Sequence, residues 1–250
     1  MGRIGAIIAV LMLAACMPAI EAPRPVPPPD AATVLPPVMT PQGLVVPPRA
    51  AAETFAQVVA RVEPMAESAC QALAARGTDC AFDIRVDPRP DQEPNAFQTL
   101  DPRGRPVIVF TLSLISAARN ADELAFVLGH EAAHHIAGHI PRRMQTAERG
   151  ALLGAVYGSV TGADAATMAQ LQRMGAEIGA RRYSKEFELE ADALGAQIAW
   201  RAGYDPVRGT GFFERLPDPG DQFLGSHPQN AQRSAQVAAV VAELERGAIR

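Results

Sequence analysis

The stretch NADELAFVLGHEAAHHIA, residues 120–137, constrains the fold more than any other part of this chain. Asn120 stands where a helix N-cap belongs, with Glu123 three residues on, and apolar side chains then continue through Ala137 without a helix breaker. A helix this apolar on every side must be covered by the rest of the domain. Such a helix also carries His130, Glu131, His134 and His135. At about 100° per residue, His130 and His134 differ by only ~40° and can converge on one ion. His135 lies roughly 140° from His130, and His139 roughly 180°, so neither can join that site unless the helix breaks. Both are therefore assigned structural roles, each donating a hydrogen bond within the packed helices. Glu131, between the convergent pair, completes His-Glu-x-x-His, where a carboxylate beside two metal ligands can take a proton from water.

Two imidazoles cannot hold a catalytic zinc alone; a third protein ligand is required, with the fourth position left to water. The metzincin solution needs Gly at position 137 and His at 140, whereas the chain has Ala137, Gly138, His139 and Ile140, one residue out of register. The third ligand must then come from another element, and SKEFELEADALGAQIAW, residues 184–200, supplies it. On a helical wheel Phe187, Ala191, Leu194 and Ile198 form a core stripe, while Glu186, Glu190, Gln197 and Arg201 form an ordinary solvated face. Glu188 and Asp192 share the remaining sector with Gly195 and Ala199, small residues that let a second helix approach. Glu188 is the expected third zinc ligand, and Asp192, one turn on, the expected hydrogen-bond partner of a ligating histidine.

Three motifs in order, GHEAAHHIAGH, RRYSKEFELEADALGAQIAWRAGYDP and SHPQNAQR, with NAF at 95–97, resemble metallopeptidase family forty-eight. This is the gluzincin family that includes CAAX prenyl endopeptidases, HtpX-like proteases and soluble periplasmic members, and the resemblance covers roughly residues 53–246. It implies an α+β, mostly helical, zincin-like metalloprotease domain with a small sheet and a central His-Glu-x-x-His helix. It implies one Zn2+ per chain held by His130, His134 and Glu188, with Glu131 catalytic, Asp192 orienting and polypeptides as substrates. Lys185 stands where family members commonly carry Arg. His227, in a His-Pro segment followed by Arg233, is given two roles by the resemblance: a self-inhibitory ligand in the open zinc position, or, with Arg233, support for the transition state. A plain loop histidine is the alternative.

Around these motifs the remaining pattern is legible in part. Pro64 marks a helix start and Gly77 its stop; AFDIRV alternates Phe82, Ile84 and Val86 like a strand with one buried face; PVIVFT, residues 106–111, reads as a second strand on which an extended substrate could pair. The segment between them, DPRPDQEPNAFQTLDPRG, reads as a turn-rich connection. Cys70 and Cys80 suit a disulfide across a helix end and a turn, with two buried thiols as the alternative. Residues 151–180 are rich in small side chains and suit packed helices or a mobile cover, with Asp164 interrupting them short of a membrane span. A helix from Ser184 to Ala202 stops at Gly203, and another follows Pro228.

The expected catalytic domain is residues 51–250. Ahead of it, MGRIGAIIAVLMLAAC carries Arg3, an apolar run from Ile4 to Leu13 and small residues before Cys16, a signal peptide over 1–15 with a lipobox-like end. Lipidation of Cys16 is expected; a plain secretory signal is the alternative. Residues 16–50 are proline-rich and suit an extended tether, which at about 3 Å per residue reaches roughly 100 Å. A bacterial envelope location follows, lipid-anchored and, since Met17 rather than Asp follows the cysteine, at the outer membrane facing the periplasm. A net charge of −4 and a pI near 5.8 give no basic footprint, which excludes a nucleic-acid partner on electrostatic grounds. The expected activity is endopeptidase cleavage of unfolded or misassembled envelope proteins, with envelope-assembly proteins as possible partners. Two rivals stay open: a chaperone-like lipoprotein with a gated or silent zinc site, and zinc hydrolysis of a non-protein envelope substrate.

Overall fold

The computed structural model of the chain describes residues 38–39, 45–46, 49–89, 91–182, 184–215 and 228–248. Within the stretch expected to be an extended tether, β1 (Val38–Met39) pairs antiparallel with β2 (Val45–Val46). The expected signal peptide and Cys16 lie outside the described residues.

The first long helix, α1 (Arg49–Leu73), begins fifteen residues before the proline expected to open it, and Pro64 sits inside it. The reason is the spacing of apolar side chains on both sides of that proline. Phe55, Val58, Val62, Ala66, Ala69 and Cys70 form one buried stripe, and its burial outweighs the backbone hydrogen bond that Pro64 cannot donate. Past the helix end Gly77 takes a positive φ, and Cys70 and Cys80 are joined in a disulfide that ties α1 to the segment leading into the sheet.

That sheet has three strands: β3 (Asp83–Asp87), β4 (Ala96–Leu100) and β5 (Pro106–Thr111), in the order β3-β5-β4. β5 pairs parallel with β3, opposing Ile84 to Ile108, and antiparallel with β4, opposing Gln98 to Ile108. Two expectations are corrected here. The connection read as turns contains β4, a strand too short and too poorly alternating to stand out between Pro94 and Pro102. PVIVFT is the central strand, with both edges already paired, so it cannot accept an extended substrate; among the described residues the open edges belong to β3 and β4. Of the alternating residues expected to be buried on the first strand, Phe82 is buried just ahead of β3, whereas Val86 is exposed.

After the short α2 (Leu112–Ala117) comes α3 (Ala121–Ile136), capped by Asn120, whose Oδ1 accepts from the Glu123 N–H at 3.0 Å. Twelve of its residues are buried, as its all-round apolar sequence requires. It is clasped between α1 and α6 (Ser184–Arg201). The α3–α6 approach rests on two glycines: a Cβ on Gly195 would come within 2.7 Å of the His130 backbone nitrogen, and one on Gly129 within 2.6 Å of the Gly195 carbonyl oxygen. This is the close contact that the small residues sharing a sector with Glu188 and Asp192 suggested. Between α3 and α6 the chain makes a hairpin of α4 (His139–Thr161) and α5 (Ala165–Arg182), which pack chiefly on each other. A small α7 (Pro206–Gly209), a 3-10 turn (Thr210–Arg215) and α8 (Asn230–Glu245) close the domain against α3 and α6. The result is an α+β, mostly helical domain with a small sheet, and no described helix is long and apolar enough to cross a membrane.

Candidate metal centre

α3 and α6, held at glycine distance, bring three ligand types to one point: His130, His134 and Glu188 each offer an atom, all within 4.8 Å of one another. The two Nε2 atoms stand 3.0 Å apart, and the Glu188 carboxylate is 3.5 Å from each of them. Two imidazoles and one carboxylate with room for a further ligand are the donor set of a catalytic zinc. The electrostatics agree. Burial works against a charge on His130, yet the Asp192 and Glu188 carboxylates outweigh it and hold the imidazole protonated. Burial and the neighbouring His130 charge push the His134 pKa down. The cluster thus demands one positive charge at its centre, which a bound cation supplies in place of the proton.

With both Nε2 atoms turned to the centre, each ligand histidine has its Nδ1 left for a supporting partner, and the two supports have parallel designs. His130 Nδ1 lies 2.9 Å from Asp192 Oδ1. Asp192 is fully buried and is gripped from its other side by Arg233, whose Nε and Nη2 donate to its two oxygens, each at 2.7 Å. The Arg233 guanidinium stacks on Phe213 at 3.7 Å and lies 3.6 Å from Glu188. Arg233 is therefore spoken for by the carboxylate that orients His130. His227, the other residue of that motif, lies outside the described residues.

The second support was not foreseen. Gly138 adopts a positive φ of 66°, ending α3 and starting α4, and the chain turns so that His139 comes back against the site. His139 Nδ1 lies 2.7 Å from His134 Nδ1, and its Nε2 lies 3.2 Å from Glu190, which also accepts from Arg142 at 2.7 Å. The ring of His139 is stacked on Phe187 at 4.6 Å. A histidine that gives its Nε2 lone pair to a metal keeps its proton on Nδ1, so His134 donates to His139, and His139 in turn donates to Glu190. Two sequence expectations are overturned: His139 does not point away from His130 on one continuous helix, and Glu190 is not merely part of a solvated face. The signal that could have exposed this was AGHIP, a glycine stop with Pro141 in the first turn of a new helix. His135 bonds the Asp79 backbone carbonyl at 2.7 Å, in the loop after α1 rather than among packed helices.

The cluster sits in a cleft of about 460 Å³ bounded by Asn95, by Ala96, Phe97 and Gln98 of β4, by Phe126 and Glu131 of α3, by Ile140 and Arg143 of α4, and by Phe212 and Phe213. Glu131 faces this cleft next to the ligands. Burial is the main reason its carboxyl is pushed up to about 7, with the Glu188 charge adding to it; the His130 charge and a hydrogen bond from the Gln98 backbone pull the other way. A carboxyl balanced near neutrality can both take and return a proton.

The family model described as Peptidase family M48 matches residues 52–241. No curated protein matches the chain.

Proposed function

The chain belongs to peptidase family M48 and is a metallopeptidase of polypeptide substrates; from that premise we propose that it is a zinc-dependent endopeptidase cleaving unfolded or misassembled proteins of the bacterial envelope. The observation that carries the zinc chemistry is the convergence of His130, His134 and Glu188 beside Glu131 in a single cleft. His130, His134 and Glu188 would hold the zinc, which would supply a Lewis acid for the scissile carbonyl and for the attacking water. Glu131 takes the proton of the attacking water and passes it to the leaving amine nitrogen. Asp192 and His139 hold the two ligand rings in place, and Arg233 keeps Asp192 charged.

Preference for unfolded chains is supported by β4. It is paired with β5 on one side only, among the described residues, and its other edge borders the cleft. An extended polypeptide added to that edge gains main-chain hydrogen bonds whatever its side chains, which gives affinity with limited sequence preference. The envelope assignment rests on the N-terminal sequence, whose apolar run, Cys16 and proline-rich segment suit a lipid anchor and spacer at the periplasmic face of the outer membrane.

The test is Glu131→Gln in the zinc-loaded full chain, with a casein-like substrate. The variant is expected to keep zinc and lose cleavage; undiminished cleavage overturns the assignment, and a wild type that holds zinc and unfolded protein without cutting transfers the reading to a chaperone.

A further inference from the structure

The α4–α5 hairpin has no place in the chemistry above beyond its root, where His139, Ile140 and Arg143 border the cleft. Its interior is a glycine seam. A Cβ on Gly150 or Gly175 would collide with the other's carbonyl, one on Gly154 with the Leu171 carbonyl, and one on Gly179 with the Thr146 carbonyl. So close an approach keeps large side chains of α4 out of the seam, where Gly158 instead packs on Met168 and Leu171 of α5, and the large apolar residues of α4 are exposed. Leu152, Leu153, Val156, Tyr157 and Val160 expose 53–82% of their surfaces. Leu152, Val156 and Val160 lie on the side of α4 away from Gly150, Gly154 and Gly158, and Leu153 and Tyr157 lie on the flank beside Gly150. Met144, Met174 and Ile178 add to the exposed apolar surface of the same hairpin. Solvated monomers rarely keep a patch of this kind without using it.

Charge indicates what covers it. From Gly150 to Gln172 the hairpin has one charged residue, Asp164, and this caps α5 at the turn by accepting from the Thr167 N–H. The root half holds the arginines. Residues 139–182 contain six arginines and three acidic residues, in a chain whose net charge is −4. Arg143, Arg149 and Arg173 are all exposed at the root, with Arg149 one turn before Leu152 and Leu153 on the same side of α4. An uncharged, apolar outer face edged by arginines on an otherwise acidic protein is complementary to an anionic lipid surface: the apolar side chains enter the acyl boundary and the guanidiniums meet phosphates. Neither helix is apolar enough to span, and Asp164 at the turn must stay at headgroup level. We propose that the hairpin lies on the membrane as an interfacial anchor, with the outer face of α4 sunk into an anionic bilayer. Because α4 starts at the cleft rim, this contact fixes the catalytic cleft against the membrane surface.

The experiment is depth-dependent fluorescence quenching in the full chain carrying Tyr157→Trp, on vesicles of equal phosphatidylglycerol and phosphatidylcholine with brominated acyl chains. Trp200 on α6, the one native tryptophan, supplies the background. A blue shift and loss of at least about half of the added emission is expected, falling several-fold in pure phosphatidylcholine. Adding Leu153→Glu and Val156→Glu, which leave the glycine seam intact, should return quenching to the Trp200 background at unchanged zinc content. Emission from residue 157 that stays water-like on the vesicles overturns the proposal. So does a blue shift without vesicles accompanied by a doubled mass, which assigns the face to a second copy of the chain, or one induced only by unfolded polypeptide. Glu131→Gln should leave the quenching unchanged, so failure of this proposal and failure of the peptidase assignment are separately visible.

Discussion

Replacing His139 with phenylalanine isolates the unforeseen support of the metal site. The His139 ring is almost wholly buried and stacked on Phe187 with an interplanar angle of 11°, so a phenyl ring keeps the packing and removes only the nitrogens. What is lost is the 2.7 Å contact to His134 Nδ1 and the 3.2 Å contact onward to Glu190. With a cation on Nε2, the Nδ1–H of His134 becomes a strong donor, and a hydrogen bond of that type contributes about 1.5–3 kcal/mol. That amount weakens zinc binding by roughly 10–100-fold, the range usual for partners that orient metal ligands. Glu190→Gln should cost much less, on the order of threefold, because Glu190 is half-exposed and an amide oxygen can still accept. The assay is titration of the metal-free full chain with zinc against a chelating dye, beside thermal melts of the metal-free proteins to show equal folding. Near-saturating zinc should recover part of the His139→Phe activity, whereas Glu131→Gln stays inactive at any zinc concentration. A His139→Phe zinc affinity within threefold of wild type refutes the reasoning.

Three other perturbations probe the frame around the site. Arg233→Leu leaves the fully buried Asp192 carboxylate without its two guanidinium bonds and should cost about 3–5 kcal/mol, read as a lower melting temperature, with Arg233→Lys recovering a part. Replacing both Cys70 and Cys80 with serine opens a loop of sequence separation 10, which by chain entropy lowers stability by about 2.5 kcal/mol; calorimetry on the full chain should show the melting point falling by roughly 5–10 °C. In metal-free protein, carbon-detected NMR should show the Glu131 carboxyl titrating near 7, raised chiefly by burial. Zinc, a cation beside it, should favour the carboxylate and move that midpoint down, and an unmoved midpoint would show that the ion does not bind next to Glu131.

What the sequence made legible was what a single helix dictates. The 3.6-residue period places His130 beside His134, and it puts Glu188 and Asp192 together on the face that Gly195 lets approach; these relations survive whatever the rest of the chain does. The misreadings arose where an element boundary carried the information. A proline lacks an N–H and so reads as a helix start, yet the stripe from Phe55 to Cys70 runs straight through Pro64. β4 was hidden because five residues between prolines have no period of their own, and its strand character comes from pairing with β5. The largest change came from one backbone conformation. With α3 continued past Gly138, His139 would sit on the far side from His130, and Glu190 would be one more surface charge. The left-handed turn at Gly138 instead folds His139 back onto His134, so each zinc-facing ring has its own buried carboxylate or imidazole behind it. The crowding of histidines in residues 130–139 is thus a division of labour: two rings face the metal position, a third holds one of them, and His135 ties the helix to the loop at Asp79.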